Sequence, residues 1–339
     1  MAQSRPCLRL CATLGALLAV TLAFAGCAGA WSFATRPASG TPSVPPGLNG
    51  RLLFTRDTGL WTLDLASSAM HEIARAAEPG QVTAARWSPD GARVAYSVSE
   101  LQQGRSVSEI YVSEPDGANV SKVWAADPNT FFQRPVWGGN TGTLYFMFSQ
   151  NSPRVQRIER LELATGERQI LAEQIGSFDV SPDGLWLVVI RQVEQRGPSL
   201  VAVDLATGDE RELVRPGRFQ QIESPRFDPR SDTIVFAASG PMADSPRSTV
   251  DFIGRSLGIF PGIALAHGAP QDLYTVSLQG GPDALLASVG ADEPAVSWSP
   301  DRSHLAVLTI VSLVVYPASG GGARAILAPG SLGTLDWAR

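Results

Sequence analysis

An acidic residue recurs in a fixed setting along this chain and is the first candidate for chemistry. Asp90, Asp183 and Asp301 each follow a Ser-Pro pair and precede an apolar run. Repeated carboxylates could form an acid–base or cation site if the fold brought them together. Tight turns, however, favour Pro, Asp and Gly, and an Asp there commonly accepts hydrogen bonds from its own turn. We therefore expect these carboxylates to stabilise turns and to have no catalytic role.

The motif that carries these acids ends one predicted strand and begins the next. A bulky residue precedes each turn and a strand-like run follows it, which is the pattern of a β-hairpin. Aligned on the bulky residue, the repeats are anchored at Trp87, Trp137, Val180, Phe227, Trp298 and Trp337. Most intervals are close to the roughly 40–50 residues of one four-stranded propeller blade. The sequence therefore predicts an all-β fold, a six-bladed β-propeller.

The two ends of the predicted ring complement each other. Trp337 lies next to the C-terminus, with no turn or second strand after it, whereas the strand at Leu52–Phe54 has no inner strand before it. We expect the C-terminal strand to complete the N-terminal blade. Such pairing closes the ring and removes its open sheet edges.

The repeats resemble those of TolB-type propellers. The matching residues are the segments 87–91, 180–184 and 298–301, each followed by its strand. The resemblance covers about Gly50 to the end, and it implies an extracytoplasmic six-bladed ring that binds protein or peptide. Similar repeats also form the propeller part of oligopeptidases, but the blades leave no room for a hydrolase domain, so we expect none.

The N-terminus has the pattern of an export signal. Arg5 and Arg9 form a basic start, residues 14–24 are apolar, and small residues follow. The apolar stretch is too short for a membrane span, so residues 1–26 are predicted to be a cleaved signal peptide.

The segment from Phe24 to Cys27 resembles a bacterial lipobox, which implies acylation of Cys27. The departure is Phe24, where Leu is usual, so cleavage without acylation stays open. The chain has three cysteines, and Cys7 and Cys11 would leave with the signal. One remaining cysteine cannot form an intramolecular disulfide. We expect a membrane-anchored lipoprotein on the periplasmic or extracellular face.

Composition restricts the partners. The segment 27–49 is rich in Ala, Gly, Ser, Thr and Pro and is predicted to be a tether, followed by the propeller at 50–339. The net charge of −5 gives no electrostatic reason to bind nucleic acid.

The three histidines lack a second ligand at metal spacing, so we expect no metal and no cofactor.

The long interval between Phe227 and Trp298 is the clearest functional signal. It contains an insertion at about 240–270, between the second and third strands of one blade. This connection lies on the face where the inner strands begin, so the insertion is predicted to overhang one mouth of the channel. A flap that binds a partner and an inert insertion are equally compatible with it. The candidate binding mouth comprises Phe131, Phe132, Arg134, Arg218, Phe219, Glu223 and His267.

Charged residues also precede several anchors. Arg86, Asp179, Arg226 and Asp336 would face the central channel. They could bind a polar ligand, but ion pairs between blades are favoured.

The predicted function is therefore that of a binding module in the cell envelope, for a protein, peptide or glycan. The alternative is a propeller-type hydrolase or lyase at the channel mouth, with side chains from Glu223, Asp292, Glu293 and His267. A purely structural envelope protein is a third possibility.

Overall fold

The protein is described by a computed structural model that covers residues 42–339 except 103, 125–128, 174, 242–269 and 321–324. These residues form 24 strands and no helix. Accordingly, no helix in the described part of the chain is long and apolar enough to cross a membrane. The predicted signal peptide, Cys27 and most of the insertion lie outside the described residues.

The strands follow one another as antiparallel meanders. In chain order they are β1 (Arg51–Arg56), β2 (Gly59–Asp64), β3 (Met70–Arg75), β4 (Gln81–Trp87), β5 (Val94–Gln102), β6 (Arg105–Ser113), β7 (Ser121–Trp124), β8 (Thr130–Trp137), β9 (Thr143–Asn151), β10 (Arg154–Glu162), β11 (Arg168–Glu173), β12 (Ile175–Val180), β13 (Trp186–Val193), β14 (Gly197–Asp204), β15 (Glu210–Val214), β16 (Phe219–Phe227), β17 (Thr233–Pro241), β18 (Gln271–Ser277), β19 (Ala284–Ala291), β20 (Ala295–Trp298), β21 (His304–Leu308), β22 (Ser312–Pro317), β23 (Ala325–Pro329) and β24 (Leu335–Ala338). The insertion thus falls between β17 and β18, the second and third strands of their sheet.

The fold is an all-β propeller. Four sheets have four strands each, in the orders β24-β1-β2-β3, β12-β13-β14-β15, β16-β17-β18-β19 and β20-β21-β22-β23. Where the sequence predicts two further separate blades, β4 to β11 form one eight-stranded sheet. A parallel bridge between Ser108 on β6 and Phe131 on β8 joins its two halves.

The last strand pairs with the first, as the sequence predicts. β24 runs antiparallel to β1, with Leu52 opposite Trp337 and Phe54 opposite Leu335. The indole of Trp337 donates to the carbonyl oxygen of Asn49 at 3.0 Å. Both ends of the propeller segment therefore belong to one sheet.

Buried apolar side chains fill the spaces between successive groups of four strands. The described residues form six such clusters. One of them packs Val188 and Leu200 of one sheet against Phe219, Phe227 and Phe236 of the next. Because a single four-stranded sheet cannot bury both of its faces, each one depends on its neighbours for stability.

The acidic turn residues have the predicted role. Asp90, Asp183 and Asp301 each accept a hydrogen bond from the preceding Ser hydroxyl and from a backbone N–H two residues later. Their oxygens therefore satisfy donors of their own turns, as expected for Asp at this position.

Residues 42–49, the end of the predicted tether, lie along the sheets. The backbone N–H of Ser43 donates to the carbonyl oxygen of Leu327 at 3.2 Å. Leu48 is buried in the cluster that also contains Leu52 and Trp337. This stretch therefore adds apolar contact to the sheet that joins the chain ends.

Replacing Asp301 by Ala should lower the free energy of unfolding at neutral pH by about 1 kcal/mol, because donors of the turn lose their acceptor. The hydrogen bond from Ser299 is the main cause that lowers the pKa of Asp301 from 3.8 to about 2. The stabilisation is therefore present above pH 3.8 and is lost as the pH falls through about 2. Urea unfolding between pH 7 and pH 2 measures both effects.

The matched control is Asp209→Ala, since that exposed carboxylate accepts no hydrogen bond within the described structure. It should change the free energy by no more than about 0.5 kcal/mol. Equal losses in the two variants would contradict the role assigned to Asp301.

Candidate functional site

A cavity of about 400 Å³ opens at the end of the channel where the inner strands begin. Inner strands of every four-strand group contribute to its wall. The polar and charged side chains around it include those of Gln81, Arg134, Ser177, Glu223 and Glu293. The size is in the range of pockets that bind small molecules or short chain segments.

Irregularities of the inner strands shape this mouth. The pairing register shifts between Gln133 and Val136 on β8 and between Glu223 and Arg226 on β16. Arg134 and Ser224 have left-handed backbone conformations, with φ of 53° and 49°. β-Bulges of this kind redirect side chains and are frequent next to functional sites.

Arg134, Ser177 and Glu223 form a hydrogen-bonded chain across three neighbouring inner strands. Arg134 Nη1 donates to Ser177 Oγ, and Ser177 Oγ donates to Glu223 Oε2 at 3.1 Å. Burial raises the pKa of Glu223, and the charge of Glu293 adds to this, whereas Arg134 and Ser177 oppose it. The mouth thus presents a guanidinium beside a carboxyl group that is easier to protonate than usual.

The charged residues before the anchors form a layer across the middle of the channel, here called the ion layer: Arg86, Asp179, Arg226 and Asp336. Arg226 pairs with Asp336 and lies 3.9 Å from Asp179. The two carboxylates also accept the backbone N–H groups of Trp87 and Phe227, at 2.8 and 2.9 Å. The predicted ion pairs between blades are present.

The ion layer separates the mouth cavity from a second cavity of about 530 Å³ on the opposite side. That cavity is lined by the anchor tryptophans and by prolines of the turns, such as Pro89 and Pro300. The ion layer therefore gives the mouth cavity a charged floor.

The sequence-predicted mouth residues separate into distinct groups. Arg134 and Glu223 line the cavity and are linked through Ser177. Arg218 instead pairs with Asp283, through two hydrogen bonds of 3.0 and 2.9 Å. His267 lies outside the described residues.

The aromatic residues of the predicted mouth belong to the core. Phe132 packs with Phe146 and Phe148, and Phe219 packs with Phe236. Both are almost fully buried, and Phe131 is half-buried beside the parallel bridge. The expectation that Phe132 and Phe219 are exposed contact residues is corrected, because each packs inward between sheets.

Ser177 was not predicted as a site residue, although a positional signal existed. Arg134 and Ser177 each lie three residues before an anchor, and Glu223 lies four before. Comparing equivalent offsets around the repeats would have brought these residues together. Of the acids considered for catalysis, Glu293 also lines the cavity.

The candidate site shows no arrangement typical of a metal centre. Within the described ranges, no group of three or more His, Cys, Asp and Glu side chains is placed to hold a metal ion.

Comparisons with known proteins agree on the fold. No family model matches the sequence, and no curated protein matches it. TolB from Acinetobacter baumannii aligns with a TM-score of 0.66 at 14% identity, over 87% of this chain and 68% of that chain. A chain of the nidogen/laminin complex gives 0.61 at 12% identity, over 86% and 99%. Oligogalacturonate lyase in complex with manganese gives 0.52 at 13%, over 83% and 74%. At these identities the similarity shows the propeller fold alone.

Replacing Arg226 by Met should lower the free energy of unfolding by about 3–5 kcal/mol, because Asp336 and Asp179 would remain buried without their counter-charge. Arg191→Met is the matched control, since Arg191 pairs with Glu210 near the surface; its loss should stay below about 1 kcal/mol. Urea unfolding at pH 7 compares them. A loss in Arg226→Met no larger than in the control would show that the ion layer does not stabilise the channel.

Proposed function

We propose that the protein is an exported, lipid-anchored propeller that binds a protein, peptide or glycan at the mouth cavity. The observation that carries the proposal is the mouth itself: a cavity closed by the ion layer, with Arg134, Ser177 and Glu223 converging on it. Such a pocket offers charge and hydrogen bonds without a described catalytic arrangement. A pocket with a few convergent polar groups is typical of a binding site.

The proposed ring has six blades. In this interpretation β4–β7 and β8–β11 count as two blades, although one parallel bridge joins them into a single sheet. The six apolar clusters between successive strand groups support this count, as does the pairing of β24 with β1.

Exposed apolar side chains beside the cavity favour a partner larger than a small solute. Leu332 lines the cavity and is 53% exposed, while Ile310 and Val311 are 47% and 73% exposed. The N–H of Gly330 donates to the carbonyl oxygen of Val311 at 3.0 Å, which holds these two loops together. Apolar groups that surround a polar site suit a macromolecular interface. The nidogen/laminin neighbour, a propeller within a protein complex, is compatible with this use of the fold.

In this proposal, the N-terminal sequence determines where the protein is located in the cell. The basic start, the apolar stretch and Cys27 indicate export and acylation. The TolB-like fold of the remainder is compatible with the cell envelope.

A hydrolase or lyase is the second candidate. The insertion contains Gly254-Arg255-Ser256-Leu257-Gly258, which has the Gly-x-Ser-x-Gly pattern of a nucleophilic serine. This segment lies outside the described residues. Labelling by a fluorophosphonate probe that is lost in Ser256→Ala would favour this candidate, whereas equal labelling of both proteins would count against it.

Capture of partners from detergent-solubilised envelope tests the binding mouth. Arg134→Glu reverses the charge at the cavity, so bound partner should fall at least about tenfold, the loss expected from one charge-assisted contact. Arg230→Glu makes the same change in an exposed turn on the opposite face and should capture as wild type does. Quantitative mass spectrometry reads the result, and unchanged capture by Arg134→Glu would refute the proposed mouth.

Fractionation tests the anchor independently. Wild-type protein should sediment with membranes, and Cys27→Ala should appear in the soluble fraction because the acyl chains are missing. The control Cys11→Ala alters a residue of the signal and should leave the mature protein on the membrane. Membrane association that survives Cys27→Ala would contradict anchoring through this residue.

A further inference from the structure

We infer that the mouth cavity binds its ligand through a carboxylate group that contacts the guanidinium of Arg86. This inference rests on the function proposed above and names the chemistry of the ligand. The carboxylate could belong to a small organic acid or to the carboxyl terminus of a polypeptide.

The two arginines of the ion layer are satisfied to very different extents. Arg226 pairs with Asp336 and lies near Asp179. Arg86 has no carboxylate within 4.0 Å among the described residues, and its Nε has no hydrogen-bond partner there. Its Nη1 contacts only neutral oxygens, those of Ala85, Thr334 and Leu335, at 3.3–3.5 Å. These are long contacts, so Arg86 retains capacity for an anion.

The mouth cavity meets the cations of the ion layer but not its anions. Arg86 and Arg226 both line this cavity, whereas Asp179 and Asp336 line only the cavity on the opposite side. Seen from the mouth, the floor is therefore positive. A ligand that enters from this side reaches the guanidinium groups of the ion layer before it reaches the carboxylates of that layer.

Electrostatics around Arg86 favour an added negative charge. Burial and the neighbouring charge of Arg226 lower the pKa of Arg86 to about 10, Arg134 contributes in the same direction, and the charges of Asp336 and Asp179 oppose the shift. The guanidinium remains charged at neutral pH, and no carboxylate lies within 4.0 Å of it among the described residues. An anion placed on it could form the two parallel hydrogen bonds that guanidinium and carboxylate make.

The acids of the mouth limit the charge that the ligand can carry. Glu223 and Glu293 also line the cavity, and each would repel an anion that passes it. Arg134, linked to Glu223 through Ser177, offsets one of them. A singly charged carboxylate is therefore favoured over a phosphate, which would bring nearly two charges past the same acids.

Paired acid and amide ligands test this inference. Pools of fluorescein-labelled random hexapeptides, with free or amidated carboxyl termini, probe chain ends by fluorescence polarisation. N-acetylglycine and N-acetylglycinamide probe small acids by calorimetry. At least one acid form should bind about tenfold or more tightly than its amide, and Arg86→Met should bring that ratio close to one. The arm that shows the difference identifies the source of the carboxylate.

Controls separate a lost contact from a lost fold. Arg75→Met, on the outer strand β3, should keep the full ratio, and thermal unfolding should show that each variant is folded. Arg134→Met, at an exposed position, serves as a second variant and should reduce the ratio without disturbing the ion layer.

The possible failures are distinguishable. If acid and amide forms bind equally and Arg134→Glu weakens both, the proposed carboxylate contact is wrong. The mouth would then still be a binding site. A preference for the acid that survives in folded Arg86→Met would overturn the assignment to Arg86. Absence of binding in both arms would also overturn the inference, while partner capture by the mouth would decide the proposed function separately.

Discussion

The ion pair between Arg226 on β16 and Asp336 on β24 is the interaction on which the channel depends. It crosses from one sheet to another, and Asp336 also accepts the N–H of Trp87 on β4. Because β24 pairs with β1, the strand that joins the chain ends also supplies this carboxylate. A disturbance of the pairing at the chain ends would therefore reach the floor of the mouth cavity directly.

Much of this architecture is predictable from the sequence because its signals are local. A Ser-Pro-Asp turn with its flanking apolar residues specifies one hairpin, and repetition specifies the propeller. The pairing of β24 with β1 is long-range, and the sequence indicates it because the strand at Leu52–Phe54 has no inner strand before it. Asp90 and its equivalents could be recognised as turn residues since the hydrogen-bond partners of their carboxylates lie within a few positions in sequence.

The candidate site was predicted only in part because its geometry depends on the bulges. Successive side chains of a regular strand point to opposite faces of the sheet, so the face of each residue can be predicted from its position. The register shift between Gln133 and Val136 interrupts this alternation. Phe132 therefore lies in the core while Arg134 reaches the cavity. Ser177 lies at the same offset from its anchor as Arg134, but only the packing of neighbouring inner strands shows that it joins Arg134 to Glu223. The eight-stranded sheet likewise depends on one long-range bridge, between Ser108 and Phe131.

The two faces of the propeller differ in where their polar side chains find hydrogen-bond partners. On the face of the Ser-Pro-Asp turns, acids such as Asp301 accept their described hydrogen bonds from donors of their own turns. On the mouth face, the hydrogen bonds run between sheets, from Arg134 to Ser177 and on to Glu223, and Arg86 below them lacks an acidic partner in the described structure. Polar groups whose hydrogen bonds are formed within their own turn stabilise the fold. Polar groups that lack some of their hydrogen-bond partners can still form hydrogen bonds to a ligand. If the mouth binds a ligand as proposed, side chains on this face can change its specificity without removing the turns that hold the blades together.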